Sequence, residues 1–433
     1  MFVLIAKEFY EYNFNIKTFN FFDNRFINEI IKKEKNIVKN LYEQNIKLLN
    51  KEQKHLFNKI TTALSKKNVL RILIEGSAGS DKTFLFKTIT YWAENNGLKY
   101  KCFTPTGLAS LFYNNSSTIH SGFLLPLDQY ENMQSHMNIH SPEAIELLKC
   151  NFFLFDEISL MSKYMFDAID CLLKNICRNE LPFGGKKIIL GGDFKQLACV
   201  LNYSTEYSIF LACIKNSLNF SKFAKHFLTI NQRQDNADFS NFLLKIGLGK
   251  LNINNTILVK ISKAFFVKGS IIDVIFDKIE TNFYNNIILS TTNECVEKIN
   301  RMVLDLNENK TIEYFSCDFL NEKNSGFSNE FLNTLTPSGF PNHHLYFKIG
   351  APIVILKNLC PAKGVVNGTR GLVKKLEKNY IVFSYYNKNG VLDSYVLHKV
   401  NFTVANASKC TIKFTRNQFP CKLAYCLTIH KAQ

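Results

Sequence analysis

The sequence predicts an α/β fold built on a parallel sheet, and three observations carry that expectation. From about Asn50 to Leu228, short apolar runs alternate with helix-like stretches, as strands and crossover helices would. Four of the runs lead directly into polar residues: RILIE into GSAGSDKT, KCFT into Pro105–Gly107, FFLF into Asp156-Glu157, and KIIL into Gly191-Gly192-Asp193. In open α/β sheets, ligands bind beyond the carboxyl ends of the strands, so four such ends imply one shared crevice. The first of them is a Gly-rich loop between a strand and a helix, an order suited to cradling phosphates.

The bounds on the chain agree with this. At 433 residues with 46% hydrophobic content, it is long enough for two or three domains with their own cores. The formal charge of +17 predicts attraction to polyanions, nucleic acid first among them; a lysine-rich solvated surface is the alternative. No run of eighteen uncharged apolar residues occurs, and the apolar start before Lys7 and Glu8 is too short for a signal peptide. The twelve cysteines form no C-x-x-C pair. The expectation is a reducing intracellular setting with no membrane partner, no disulfide framework and no zinc site.

In order along the chain, residues 1–45 are expected to be a helical lead-in or the remnant of an upstream region, and residues 46–228 a first α/β lobe. Residues 229–433 form a second lobe, in which NIILSTTN and LAYCLTIH again look like strands ending in polar residues. Between them, Gly350–Val404 alternates apolar and polar residues with turn signals at Asn367-Gly368 and Asn389-Gly390, which predicts a small β-rich insert. Residues 305–345 are Asn- and Ser-rich and are expected to be surface loops.

The chemistry-bearing residues follow from the strand ends. Backbone N–H groups of Gly76, Ser77, Ala78, Gly79 and Ser80 would surround phosphates, Lys82 would reach the outer ones, and the Thr83 hydroxyl would hold Mg²⁺. The pattern G-x-x-x-x-G-K-[ST] places a Gly where this chain has Asp81. An ordinary strand–turn–helix is the alternative. Asp156 suits hydrated Mg²⁺ and Glu157 suits orienting and deprotonating a water; the alternative is a helix N-cap. Gln53 could read an adenine edge through its amide or lie on a helix surface. Gln196 could sense the γ-phosphate. Arg233 is a candidate for stabilising the transferred phosphoryl group, although an isolated Arg is more often a surface residue. Thr104, Pro105, Thr106, Thr118 and His120 offer donors for the phosphates of a single strand. Phe123 would stack on a base or pack in the core.

In chain order, LNKEQ, GSAGSDKT, FTPTGLAS, TIHSGFLLP, FDEISLMS, PFGGKKIILGGDFKQL and NQRQDNADF are followed by ILSTTNECVEKIN, KIGAPIVILKNL, GVVNGTRGLV and RNQFPCKLAYCLTIHKAQ. With these segments the chain resembles the PIF family of superfamily-one DNA helicases, and in particular the helicase part of Helitron-type transposons. The resemblance covers Leu49 to Gln433. It implies two RecD-like P-loop NTPase lobes with parallel sheets, ATP bound between them, and a small β-barrel insert that touches DNA. It implies a monomeric, nuclear enzyme using ATP and Mg²⁺ to move 5′→3′ on single-stranded or forked DNA, in repair, recombination, telomere maintenance or transposition. It also implies that Thr428, His430 and Lys431 couple DNA contact to the nucleotide. Two departures bear on activity. One is Asp81. The other is that the family pattern continues past TIHKAQ with a Gly and an arginine-bearing motif, so the second lobe is expected to be incomplete at its C-terminus. Weak or absent ATP hydrolysis is the expectation. A catalytically inactive single-strand-binding relic is the alternative reading. A packaging-type P-loop ATPase is a third, and the NGTRG and RNQFP segments argue against it.

Overall fold

A computed structural model describes residues 24–66, 69–77, 79–127, 129–199, 201, 205–232, 237–253, 256, 258–276, 286–320, 328–337, 339–387, 390–404 and 412–431. The chain divides into two compact units: residues 1–105 with 112–250, and residues 106–111 with 251–433.

The first unit is built on six parallel strands: β1 (Arg71–Gly76), β2 (Tyr100–Thr104), β3 (Ser116–Thr118), β4 (Phe152–Phe155), β5 (Lys187–Gly192) and β6 (Ala224–Leu228). Their order is β3-β2-β4-β5-β1-β6. The central strands read as unbroken apolar runs because helices cover both faces. Alternate residues divide between two cores. Ile72, Ile74, Cys102, Leu154 and Ile189 face a cluster formed with α2 (Lys51–Ser65) and α3 (Lys82–Asn95). Leu73, Phe103, Phe153, Phe155, Ile188 and Leu190 face the opposite cluster, with α5 (Lys163–Cys177) and α4 (Pro142–Lys149). Tyr42 and Ile46 of the preceding helix α1 (Asn24–Leu48) pack on the first of these clusters. The C-terminal end of this helix is therefore packed on the unit.

The glycines at the end of β5 are present for packing. A Cβ on Gly191 would lie 2.3 Å from the Phe86 ring, which is fully buried on α3, and one on Gly192 would lie 2.9 Å from Ile158. Gly191→Ala is expected to cost about 1–3 kcal/mol through overpacking. Thermal unfolding followed by the single tryptophan, Trp92 on the same helix as Phe86, reads this directly; an unchanged midpoint would refute it.

The second unit contains one parallel pair among its described residues, β7 (Ile288–Ser290) with β18 (Cys426–Thr428). It lies against the helix α6 (Asn293–Asp305), whose buried Asn300 exchanges two hydrogen bonds with the backbone of Cys426, at 2.8 and 3.0 Å. The rest is antiparallel. β11 (Pro352–Ile355), β12 (Arg370–Leu376), β13 (Ile381–Tyr386), β14 (Leu392–Leu397) and β17 (Cys421–Leu423) form a five-stranded sheet in the order β14-β13-β12-β11-β17. β8 (Ile312–Phe315) pairs with β10 (His344–Phe347), and β15 (Val400–Thr403) and β9 (Cys317–Leu320) flank β16 (Phe414–Gln418).

Three sequence expectations change here. Residues 305–345 are not simply loops, because they supply β8, β9, the short helix Asn329–Thr334 and β10. Tyr314 and Leu345 of this region, and Phe347 just beyond it, are buried, but the strands are only four residues long and sit among Asn and Ser, so their alternation is short. The insert also extends past Val404, since β17 returns from residues 421–423 to pair with β11. Among the described residues it is a sheet with two edges, β14 and β17, and not a closed barrel. The Asn367-Gly368 turn is present, with Gly368 at φ +96°. Asn389 lies outside the described residues.

Candidate nucleotide site

β4, β5 and β1 are neighbours in the sheet, so the residues after their carboxyl ends converge. The loop after β1 runs into α3 with Gly79 at φ +85°, where a Cβ would also collide with the Asn231 side chain. Asp81 follows at φ +52°, ψ +39°, in the left-handed region that favours glycine. It stands at the N-cap of α3, yet its carboxylate makes no capping bond to the helix. The backbone needs a glycine-like conformation at the position where the phosphate-loop pattern has Gly, and Asp occupies it under strain. Ala78 lies outside the described residues.

Lys82, 7% exposed, points its Nζ at Asp156 Oδ1 (3.1 Å) and Glu157 Oε1 (3.6 Å). Burial works against its charge, but the two carboxylates outweigh it and hold the ammonium above the ordinary lysine value. Thr83 Oγ1 donates to Asp156 Oδ2 at 3.5 Å. The same oxygen accepts from the buried Tyr113 hydroxyl at 2.5 Å, while Oδ1 accepts from the Glu157 backbone N–H at 2.9 Å. Glu157 is itself at φ +55°, a left-handed conformation that costs of order 1 kcal/mol and clusters at functional sites. Burial, reinforced by the Asp156 charge and opposed by Lys82, raises its carboxyl above the usual glutamate range. The helix-cap alternative for Asp156 is not what is seen: its carboxylate gathers Lys82, Thr83 and Tyr113.

After β5, Asp193 organises the third strand end. Its carboxylate accepts from the Gln196 side-chain Nε2 at 3.1 Å and from the Lys195 backbone N–H at 3.1 Å. Gln196 is exposed and held at this end of the sheet. Arg233 lies outside the described residues.

The residues here fit Mg²⁺ with a phosphate. Ser80 Oγ and Glu157 Oε2 are buried without a hydrogen-bond partner. Thr83 and Asp156 provide hard oxygen donors side by side, the set Mg²⁺ takes together with phosphate oxygens. Gln53 is placed differently from an adenine reader. It is 2% exposed, its Oε1 accepts from Asn50 N–H in the capping box of α2, and its Nε2 donates to the carbonyls of Ser80 (3.1 Å) and Asp81 (3.4 Å). The Nε2 end of the amide braces the phosphate loop, while the Oε1 end caps α2.

Several residues expected to touch a nucleic-acid strand are not on a surface. Thr104 is fully buried at the end of β2. Phe123 is also fully buried; its ring lies 4.4 Å from Phe103 and stacks on Phe155 at 5.9 Å, so core packing is correct and base stacking is not. Thr106 and Thr118 are partly exposed, and each caps a short helix, accepting from Ala109 N–H and Ser121 N–H. Pro105 is partly exposed. His120 is largely buried, with Nε2 unpaired; burial lowers its pKa, so near neutrality it offers a neutral imidazole. In the second unit, Thr428 ends β18 and is followed by a short turn through Ile429, His430 and Lys431. Burial, with the Lys422 charge, lowers Lys431 to about 8. No described helix is long and apolar enough to cross a membrane.

Comparison with known proteins adds the family context. A PIF1-like helicase family model matches residues 48–257, and a model of the 2B domain of DNA helicase Pif1 matches residues 330–376. The ATP-dependent DNA helicase PIF1 of Xenopus laevis is 24% identical over 395 residues, which is 86% of this chain and 54% of that protein. The ATP-dependent DNA helicase Pif1 of Campylobacter jejuni is 27% identical over 399 residues, covering 87% of this chain and 83% of that protein. The crystal structure of Pif1 helicase from Bacteroides in complex with ADP-AlF3 and single-stranded DNA superposes with a TM-score of 0.63 at 26% identity, covering 87% of this chain and 83% of that one. A structure of two coordinating Pif1 helicases at forked duplex DNA gives 0.64 at 25% identity, covering 89% and 83%. That pairing lends no support to the expected monomer. The chain spans about half the length of several of the curated relatives it matches.

Proposed function

We propose that this chain, which belongs to the PIF1-like helicase family, is an ATP-dependent DNA helicase that moves 5′→3′ on single-stranded or forked DNA. The observation that carries this reading is the convergence of Lys82, Thr83, Asp156, Glu157 and the Asp193–Gln196 pair at three adjacent strand ends. Thr83 and Asp156 would hold Mg²⁺, which would supply positive charge against the phosphates. Lys82 would leave the Asp156 carboxylate for the β- and γ-phosphates. Glu157, with its raised pKa, would take the proton of the attacking water, and Gln196, steadied by Asp193, would sense the γ-phosphate. Arg233 would stabilise the charge on the transferred phosphoryl group. Thr106, Thr118, Thr428, His430 and Lys431 would contact the strand. The +17 charge supports a polyanionic partner. A reducing nuclear compartment belongs to the same proposal; a fluorescent fusion excluded from the nucleus would refute that part.

Glu157→Gln is expected to lower single-strand-stimulated ATP hydrolysis by at least about 100-fold while nucleotide still binds. The acid limb of the pH–rate profile follows from the same residue. The base works only when ionised, and burial raises its pKa, so activity falls at a higher pH than an ordinary glutamate would give. A variant as active as the native chain would remove Glu157 from the chemistry.

A second reading, an inactive single-strand-binding protein, is favoured by one observation: Asp81 holds a glycine conformation inside the phosphate loop. Binding to a labelled oligonucleotide without any ATP hydrolysis would favour it.

A further inference from the structure

Tyr113 belongs to none of the motifs above, yet its hydroxyl makes the shortest contact to the Asp156 carboxylate. Its ring lies in the core cluster on the α3 side of the sheet, with Cys102, Phe152 and Leu154. The turn that delivers it is well held. Ser116 Oγ donates to the Tyr113 carbonyl at 2.9 Å, and Cys102 N–H on β2 donates to the Asn115 carbonyl at 3.0 Å, with Asn115 at φ +48°. Tyr113 is 6% exposed, and its hydroxyl leaves the apolar layer at Asp156 Oδ2, 2.5 Å away, beside the Thr83 side chain.

Four protein donors thus share one carboxylate. Lys82 and the Glu157 N–H take Oδ1, while Thr83 and Tyr113 take Oδ2. On binding, phosphates would draw Lys82 away, and the metal would take up Thr83. Tyr113 also hydrogen-bonds Thr83, but its ring is locked by packing, so once Thr83 turns to the metal its bond to Oδ2 persists and uses one lone pair, leaving the other free. Ligating carboxylates are commonly fixed by a second hydrogen bond of this kind, and removing the partner typically costs 10–100-fold in metal affinity.

We propose that Tyr113 is a positioning residue for Mg²⁺: it fixes the rotation of the Asp156 carboxylate so that the free lone pair of Oδ2 faces the metal beside Thr83. This rests on the reading of the site as a Mg·nucleotide site. It gives the chain a metal-site component that lies more than forty residues before Asp156 and has no motif of its own.

The test is Tyr113→Phe, which keeps the ring and removes only the hydroxyl. Binding of a fluorescent ATP analogue is titrated with and without Mg²⁺, and Mn²⁺ binding is followed by electron paramagnetic resonance in the presence of nucleotide. Both are done in the native chain and in the Asp81→Gly chain, with Asp156→Asn as the metal-site control. The expected result is that the Mg²⁺ and Mn²⁺ concentrations needed rise about tenfold or more, while metal-free nucleotide affinity is unchanged. A merely structural role would shift both affinities together. If metal-dependent binding exists and Tyr113→Phe leaves it unaltered, or if both affinities fall equally, the positioning role is wrong and the nucleotide site stands. If neither Asp81 background shows metal-dependent binding, the nucleotide-site reading fails and the proposal fails with it.

Discussion

Asp81→Gly is expected to tighten Mg·ATP binding by well over tenfold. A carboxylate about 4 Å from a phosphate charge, at an effective dielectric near 20, repels by roughly 4 kcal/mol, and Lys82 with Mg²⁺ offsets about half of that. The remaining about 2 kcal/mol corresponds to roughly 30-fold. The left-handed backbone at Asp81, φ +52° and ψ +39°, carries about 1 kcal/mol of strain already in the nucleotide-free chain, so it lowers stability and not affinity. Asp81→Ala separates the terms, because it removes the charge and keeps the strain: its affinity should match that of Asp81→Gly, and its stability that of the native chain. Calorimetric titration of the three proteins with ATP and Mg²⁺ checks this. Equal affinities in all three would mean that the loop rearranges to turn Asp81 away from phosphate.

The second large effect concerns stability. Arg416, from the RNQFP segment, is fully buried and pairs with the equally buried Asp318, Nη2 to Oδ2 at 2.6 Å and Nε to Oδ1 at 2.9 Å. Its remaining donors reach the carbonyls of Leu332 (2.9 Å) and Pro341 (3.1 Å), and Ser316 Oγ donates to Asp318 at 2.7 Å. One guanidinium therefore ties β16, β9, the helix Asn329–Thr334 and the segment entering β10. Arg416→Ala leaves a buried carboxylate without its counter-charge and is expected to cost about 3–5 kcal/mol. Replacing both partners with apolar residues, Arg416→Met with Asp318→Leu, is expected to cost much less. Hydrogen exchange across residues 312–423 should report the loss. Trp92 fluorescence, which belongs to the first unit, should not move. Undiminished protection in Arg416→Ala would show that the pair adds little.

The parts of the molecule legible in the sequence are those set by local pattern. The strand–loop–helix from Arg71 was visible because hydrophobic runs and a Gly-rich loop follow one another in the chain. Asp156, Glu157 and Gln196 were visible because each follows a buried strand. The antiparallel alternation after Gly350 predicted the β-rich insert for the same reason. Less legible were residues whose role depends on a partner far away in sequence. Nothing near Phe123 distinguishes a ring that stacks on bases from one that lies against Phe103, Phe153 and Phe155. Thr104 is polar and ends a strand, and only the packing around it shows that it is sealed from solvent. Gln53 has the composition of an adenine reader, but its amide is taken up by Asn50 and the loop carbonyls. The four-residue strands β8, β9 and β10 are too short to establish a period.

By itself, then, the sequence determined the α/β class, the phosphate loop with its misplaced Asp81, and the acids at the strand ends, because these depend on contiguous hydrophobicity and backbone chemistry. Tertiary structure alone decided that Asp81 sits in a left-handed conformation, that Gly191 and Gly192 serve packing, and that Tyr113 and Gln53 support the site. The reason is physical: a hydrogen bond or steric clash forms between elements brought together by the sheet order β4-β5-β1, and that order is not written in any one stretch of chain.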